Sequence, residues 1–125
     1  MRLGQFDQSI VNYRRCMEID PTQSFPMAFL NNLSWLQSTR PSLPSGRPEE
    51  ALLLAKKICQ QSDFSFPDTL DTLAVAYAAN GDFPKAIETA QKAAEIASAA
   101  GNEELAEEIL DRLKLFEKSE PYLEE

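Results

Sequence analysis

An all-α solenoid of antiparallel helix pairs is the architecture this 125-residue chain predicts, and three observations carry that expectation. Apolar residues recur at helical spacing along most of the length, turns bearing proline and glycine separate those stretches, and one helix–turn–helix pattern comes round more than once. The chain is long enough for one domain, and 43% hydrophobic with 26% charged residues is ordinary for a water-exposed helical fold.

The clearest unit is 66–95, FPDTLDTLAVAYAANGDFPKAIETAQKAAE. Leu70, Leu73, Ala74 and Tyr77 fall at i, i+3, i+4 and i+7, one apolar stripe of a first helix. Asn80-Gly81 is expected to supply the left-handed positions that end it, Asp82 to cap the second helix, and Pro84 to sit in that helix's first turn, where a missing N–H is harmless. Ala86, Ala90, Ala93 and Ala97 then share a face with Ile87 alongside, so the second helix can approach a neighbour closely.

The pattern returns upstream. Phe29–Ser38 sets Leu30, Leu33 and Ser34 in the first-helix slots, and Glu49–Gln61 sets Ala51, Ala55 and Ile58 where Ala86, Ala90 and Ala93 sit. Gly46 and Gly81 hold equivalent turns 35 residues apart. Leu3-Gly4-Gln5-Phe6, followed by Ser9, Tyr13, Cys16 and Pro21, matches the turn and second helix again, with 42 residues between Gly4 and Gly46. The longer interval reflects an insertion at 39–47, TRPSLPSGR, whose prolines cannot continue a helix. Ser24-Phe25-Pro26 and Ser65-Phe66-Pro67 precede the first helices as punctuation, each phenylalanine placed to fold back on the hairpin before it. The expected organisation is a single domain: 1–21 the second helix of an incomplete repeat, 25–62 a repeat with the insertion, 66–99 a repeat, 102–118 a C-terminal capping helix and 119–125 a tail.

Together these residues resemble the tetratricopeptide repeat family, whose unit is an antiparallel helix pair of about 34 residues. Its first helix carries a Trp-Leu-Gly-Tyr type pattern and its second an Ala-Phe-Ala-Pro type pattern. Leu70, Leu73, Ala74, Tyr77, Gly81, Phe83, Ala86 and Ala93 match; so do Leu30, Leu33, Ser34, Gly46 and Ala51 one unit earlier, where Gln37 takes the aromatic slot. NNLSWLQST, LDTLAVAY, NGDF and RLKLFEKSEPYLEE are also similar to the closing segment of bacterial multidomain members. The resemblance implies a right-handed superhelical solenoid and a non-catalytic protein–protein interaction module or scaffold, with a peptide segment bound on a concave wall built by successive first helices. It implies an alternative too: an accessory domain of a larger enzyme such as a glycosyltransferase or hydrolase, with the chemistry upstream of residue 1.

The helical step locates that wall. With Leu30, Leu33 and Ser34 facing the core, Asn31, Trp35 and Ser38 share one flank; Asp71, Val75 and Ala78 are their equivalents in the next first helix, with Asp68 close by. An aromatic anchor beside amides and carboxylates suits a peptide partner with Lys or Arg near Asp68 and Asp71. The competing expectation for Trp35 is packing between neighbouring repeats. Relatives that clamp a partner's terminal carboxylate use cations on these helices; Asn31, Asp68, Asp71 and Thr72 stand there instead, which argues against that mode.

Catalysis has little to stand on. Without histidine no imidazole base or ligand exists in this chain, and Cys16 and Cys59 lack a metal or redox spacing. Cys16 occupies a small-residue slot and reads as a buried apolar thiol. Neighbouring acids such as Glu49-Glu50 and Glu103-Glu104 sit where helix N-termini explain them. No enzyme activity, cofactor or metal is expected. At net charge −8 with no basic stripe, nucleic acid and anionic membrane are poor partners. No run approaches about 18 apolar residues, and MRLGQF lacks a signal-peptide core, so a soluble chain is expected.

The two ends differ. Phe6, Ile10, Tyr13 and Met17 form a stripe whose covering first helix is absent from the chain, so preceding helices are expected to cover it, or else a second copy as a homodimer. At the other end Asn102 caps a helix whose Leu105, Ile109, Leu113 and Phe116 line one side and Glu107, Glu108, Asp111 and Arg112 the other, until Pro121 stops it. From Gly101 onward nine acids face three bases, a solvated cap with some attraction for a basic partner.

Overall fold

The computed structural model describes residues 3–22, 24–40 and 47–124, with side chains from Asp7 onward. Among the described residues six helices follow one another: α1 Leu3–Ile19, α2 Met27–Thr39, α3 Pro48–Gln61, α4 Pro67–Ala79, α5 Phe83–Ala99 and α6 Glu103–Glu117. No strand occurs among the described residues, and no helix there is long and apolar enough to cross a membrane. Each helix packs on the next from α2 to α6, and α2 also lies against α4, so the chain is an all-α helical-repeat solenoid. Gly46 and most of the 39–47 insertion lie outside the described residues, as does the side chain of Phe6.

Local chemistry accounts for the helix starts. Pro48, Pro67 and Pro84 occupy first turns, where no N–H is needed. Asp82 Oδ1 accepts from Lys85 N at 3.3 Å and Asn102 Oδ1 from Leu105 N at 3.2 Å, each satisfying an orphan donor.

Four of the stops share one device. α4 ends with Gly81 at φ +80°, Gly81 N donating to Ala78 O and Asp82 N to Tyr77 O; α5 repeats the arrangement at Gly101, φ +82°. α3 and α6 end the same way with non-glycine residues in the left-handed position, Asp63 at φ 55° and Ser119 at φ 58°. Asn80, expected to share the left-handed turn, has φ −94°. Its Nδ2 instead donates to Pro48 O and Ala76 O, both at 2.8 Å, pinning the end of α4 to the start of α3.

Packing divides the core into two adjoining clusters. Ala86, Ala90, Ala93 and Ala97 are all buried, the small-residue seam that lets α5 lie close to α4 and α6, and Ile109, Leu113 and Phe116 close the stack from α6. The second cluster joins Ile10 and Tyr13 of α1 to Leu30 and Leu33 of α2 and to Leu54 and Ile58 of α3. Here the expected uncovered stripe is corrected. Ile10 is 0% and Tyr13 8% exposed, and Met17 packs partly buried on the same cluster, because the stripe faces forward into the following helix pair. Phe25 lies between Tyr13 and Phe29, tilted on the first at 5.0 Å and stacked on the second at 5.9 Å between ring centroids, and folds back as expected. Phe66 does not: it is exposed, and Phe64 packs on the core instead.

Candidate functional site

α2 and α4 form a wall of adjacent first helices, and α6 reaches it through Arg112. Of the residues expected on its open surface, only Asp68 is exposed. Asn31 and Trp35 are half-buried, and Ser38, Asp71, Val75 and Ala78 are buried. The wall is filled from within the chain. Trp35 packs against the cluster that contains Val75 and Ala78, which answers the sequence alternative for its indole.

What fills it is the segment after α6. The left-handed Ser119 reverses the chain, Glu120 N donates to Leu115 O, and residues 120–124 run without helix or strand back to the end of α2. Glu124 N donates to Thr39 O at 2.9 Å, and Arg40 Nη1 donates to Glu124 O at 3.0 Å. Trp35 Nε1 donates to Glu124 Oε1 at 2.7 Å, and Tyr122 Oη to Glu124 Oε2 at 3.2 Å. The Tyr122 and Trp35 rings lie 5.8 Å apart, tilted by 53°. Side chains alternate: Tyr122 and Glu124 turn inward, Pro121 and Leu123 outward, the period of an extended strand.

Arg112 ties the layers together. Its guanidinium carbon sits 5.2 Å from the Trp35 ring centroid and 5.3 Å from that of Tyr122, within cation–π range of both. The same group is bidentate on Asp71, Nε donating to Oδ1 at 3.1 Å and Nη2 to Oδ2. Sequence reasoning set Arg112 on the solvent side and left Asp71 free for a basic partner. The structure corrects both: the Arg112 side chain is 12% and the Asp71 side chain 8% exposed, and each is committed to the other.

Two ionisable groups in this face are shifted. Burial pushes the Asp71 carboxyl above its usual range, more than the hydrogen bonds and charge of Arg112 pull it down. Burial also raises the Tyr122 phenol, helped by the neighbouring Glu124 charge and hydrogen bond and opposed by Arg112. Unused bonding capacity remains on α2 and its C-cap: Asn31 Oδ1, Ser38 Oγ and Arg40 Nε have no hydrogen-bond partner among the described residues.

Sequence reasoning missed Thr39, Arg40, Arg112, Tyr122 and Glu124. One signal was present: an aromatic and an acid two residues apart, just after the proline that ends the last helical pattern. It also missed a polar cluster joining the first three helices. There Glu50 accepts from Arg14 Nε at 3.1 Å and from the buried Gln37 Nε2 at 2.7 Å, so the residue in the aromatic slot of α2 has a polar partner built for it. Ser34 Oγ donates to Ala51 O at 2.7 Å across the α2–α3 seam.

Cys59, not Cys16, is the fully buried thiol; its Sγ donates to Thr69 O at 3.4 Å and burial raises its pKa, which suits a packed apolar group rather than a nucleophile. Among the described residues no group of three or more His, Cys, Asp or Glu is placed to hold a metal ion.

Comparison with known proteins bears on this geometry. A family model described as Tetratricopeptide repeat matches residues 1–23 and 67–100, which take in α1 and the α4–α5 pair. No curated protein and no solved structure gives a significant match.

Proposed function

We propose, from the Tetratricopeptide repeat matches at 1–23 and 67–100 and the helical-repeat fold, that the chain is a non-catalytic interaction module whose α2–α4 wall takes an extended segment of a protein partner. Repeats of this kind are generally protein–protein interaction modules and typically non-catalytic. The observation that supports the peptide reading is residues 120–124 themselves. A non-helical stretch lies on the wall, hydrogen-bonded through its main chain to Thr39 and Arg40 and anchored by alternate side chains, which is how a partner's strand would lie. The Asp71 carboxylate belongs to Arg112 and gives a basic partner no free anchor there.

A library of unstructured peptides panned on the full chain, with the binders mapped by amide chemical shifts, tests the reading. Shifts clustered at Trp35, Arg40, Thr72 and Arg112 are the expected result. Binders that map elsewhere, for instance to the hollow between Met17, Leu53 and Lys57 on α1 and α3, would overturn it.

A further inference from the structure

The segment on the wall is also a statement about ligand chemistry. Resting on the reading above, we propose that the partner segment is an extended acidic peptide carrying an aromatic–any–acidic triplet, and that Tyr122-Leu123-Glu124 is an in-chain stand-in which such a peptide displaces. Each part of the triplet meets a complementary group. The aromatic ring lies beside Trp35 under the Arg112 guanidinium; the acid two residues on accepts from the Trp35 indole N–H; the main chain between α2 and the segment is paired at Thr39 O and by Arg40. The middle residue points outward, since Leu123 is 46% exposed, and carries no selectivity.

The stand-in itself sets the charge class: 119–125, SEPYLEE, holds three glutamates and no base, with Arg40 on the Glu124 carbonyl and Arg112 over the Tyr122 ring. Release of the triplet leaves the end of α6 in place: its closing bonds, Ser119 N to Phe116 O and Glu120 N to Leu115 O, are made by main chain ahead of Tyr122.

A tethered segment competes at an effective concentration of about 1 mM, so if its intrinsic Kd is about 0.1 mM it weakens an external peptide about tenfold. The experiment compares the synthetic peptide Ser-Glu-Pro-Tyr-Leu-Glu-Glu, titrated by calorimetry into the full chain and into the full chain bearing Tyr122→Ala and Glu124→Ala. The double variant is expected to bind about tenfold more tightly, with the Trp35 indole N–H resonance moving on saturation. Glu124→Gln alone, a milder change should the double variant lose helicity, is expected to bind about threefold more tightly. Peptides with the tyrosine replaced by alanine, or the glutamates by lysine, are expected to bind at least tenfold less well. Equal binding of the lysine peptide, or no binding of the acidic peptide to either helical variant, overturns the inference. If library peptides of other chemistry still map to Trp35, only the triplet falls; if nothing maps to that face, the peptide-binding reading falls with it.

Discussion

Arg112 is the side chain on which this face turns, because it serves two rings and one buried carboxylate at once. Replacing it with methionine keeps most of the packing but leaves Asp71 buried and unpaired, a change expected to cost about 3–5 kcal/mol in chemical denaturation. The pH dependence has a definite sign. Asp71 has a folded-state pKa above its unfolded value of about 3.9, so its contribution is fully present below that value and is lost as pH rises through the folded one. Without Arg112 the folded value rises further, and the deficit of Arg112→Met should shrink as pH is lowered from 7 towards 4. Tyr122 behaves likewise at the other extreme. Its phenol is raised by burial and by Glu124, so its docking contribution is complete below about pH 10 and lost as pH rises through the docked value. Trp35 is the only tryptophan and lies against Tyr122, so its emission should report that alkaline release, and Tyr122→Phe should abolish the transition.

Helix termini carry more of the design than helix interiors do. Four of the six helices end in the same pair of reversed hydrogen bonds, and two of those four use a residue that resists the left-handed conformation. At Ser119 that conformation aims the following segment at α2, so Ser119→Gly should stabilise the chain by about 0.5–1 kcal/mol, seen as a higher thermal midpoint with unchanged Trp35 emission. The α5 seam makes the opposite demand. Ala90 is 1% exposed between neighbouring helices, and Ala90→Leu should cost about 1–3 kcal/mol by forcing them apart, measurable in the same unfolding experiment.

In the first helix Ile10 and Tyr13 face inward. Ile10 is wholly buried among residues of α1, α2 and α3, so Ile10→Asp places a carboxylate in an apolar cluster. It should lower stability by at least about 3 kcal/mol. Sedimentation of the folded fraction should give the same mass as the parent chain, whereas a fall in mass on substitution would restore a role for this stripe between copies.

Much of this architecture was legible before any coordinates, for reasons that act locally. The 3.6-residue spacing of Leu70, Leu73, Ala74 and Tyr77, the alanine face of α5, the prolines in first turns and Gly81 each express a preference that a short stretch satisfies by itself. Amphipathic spacing also marked Ile10 and Tyr13 as apolar, but not which way they face, because covering a stripe depends on where the next helix pair lands. The wall was hidden for the same reason at longer range. Trp35 and Glu124 are 89 positions apart, Asp71 and Arg112 41, and no periodic pattern links such pairs. Local sequence therefore determined the helices, their ends and the repeat, all set by contacts within a turn or two. Only tertiary structure decided what the repeat's open face holds, because burial and charge pairing there are settled by a segment that reaches it after every helix has been placed.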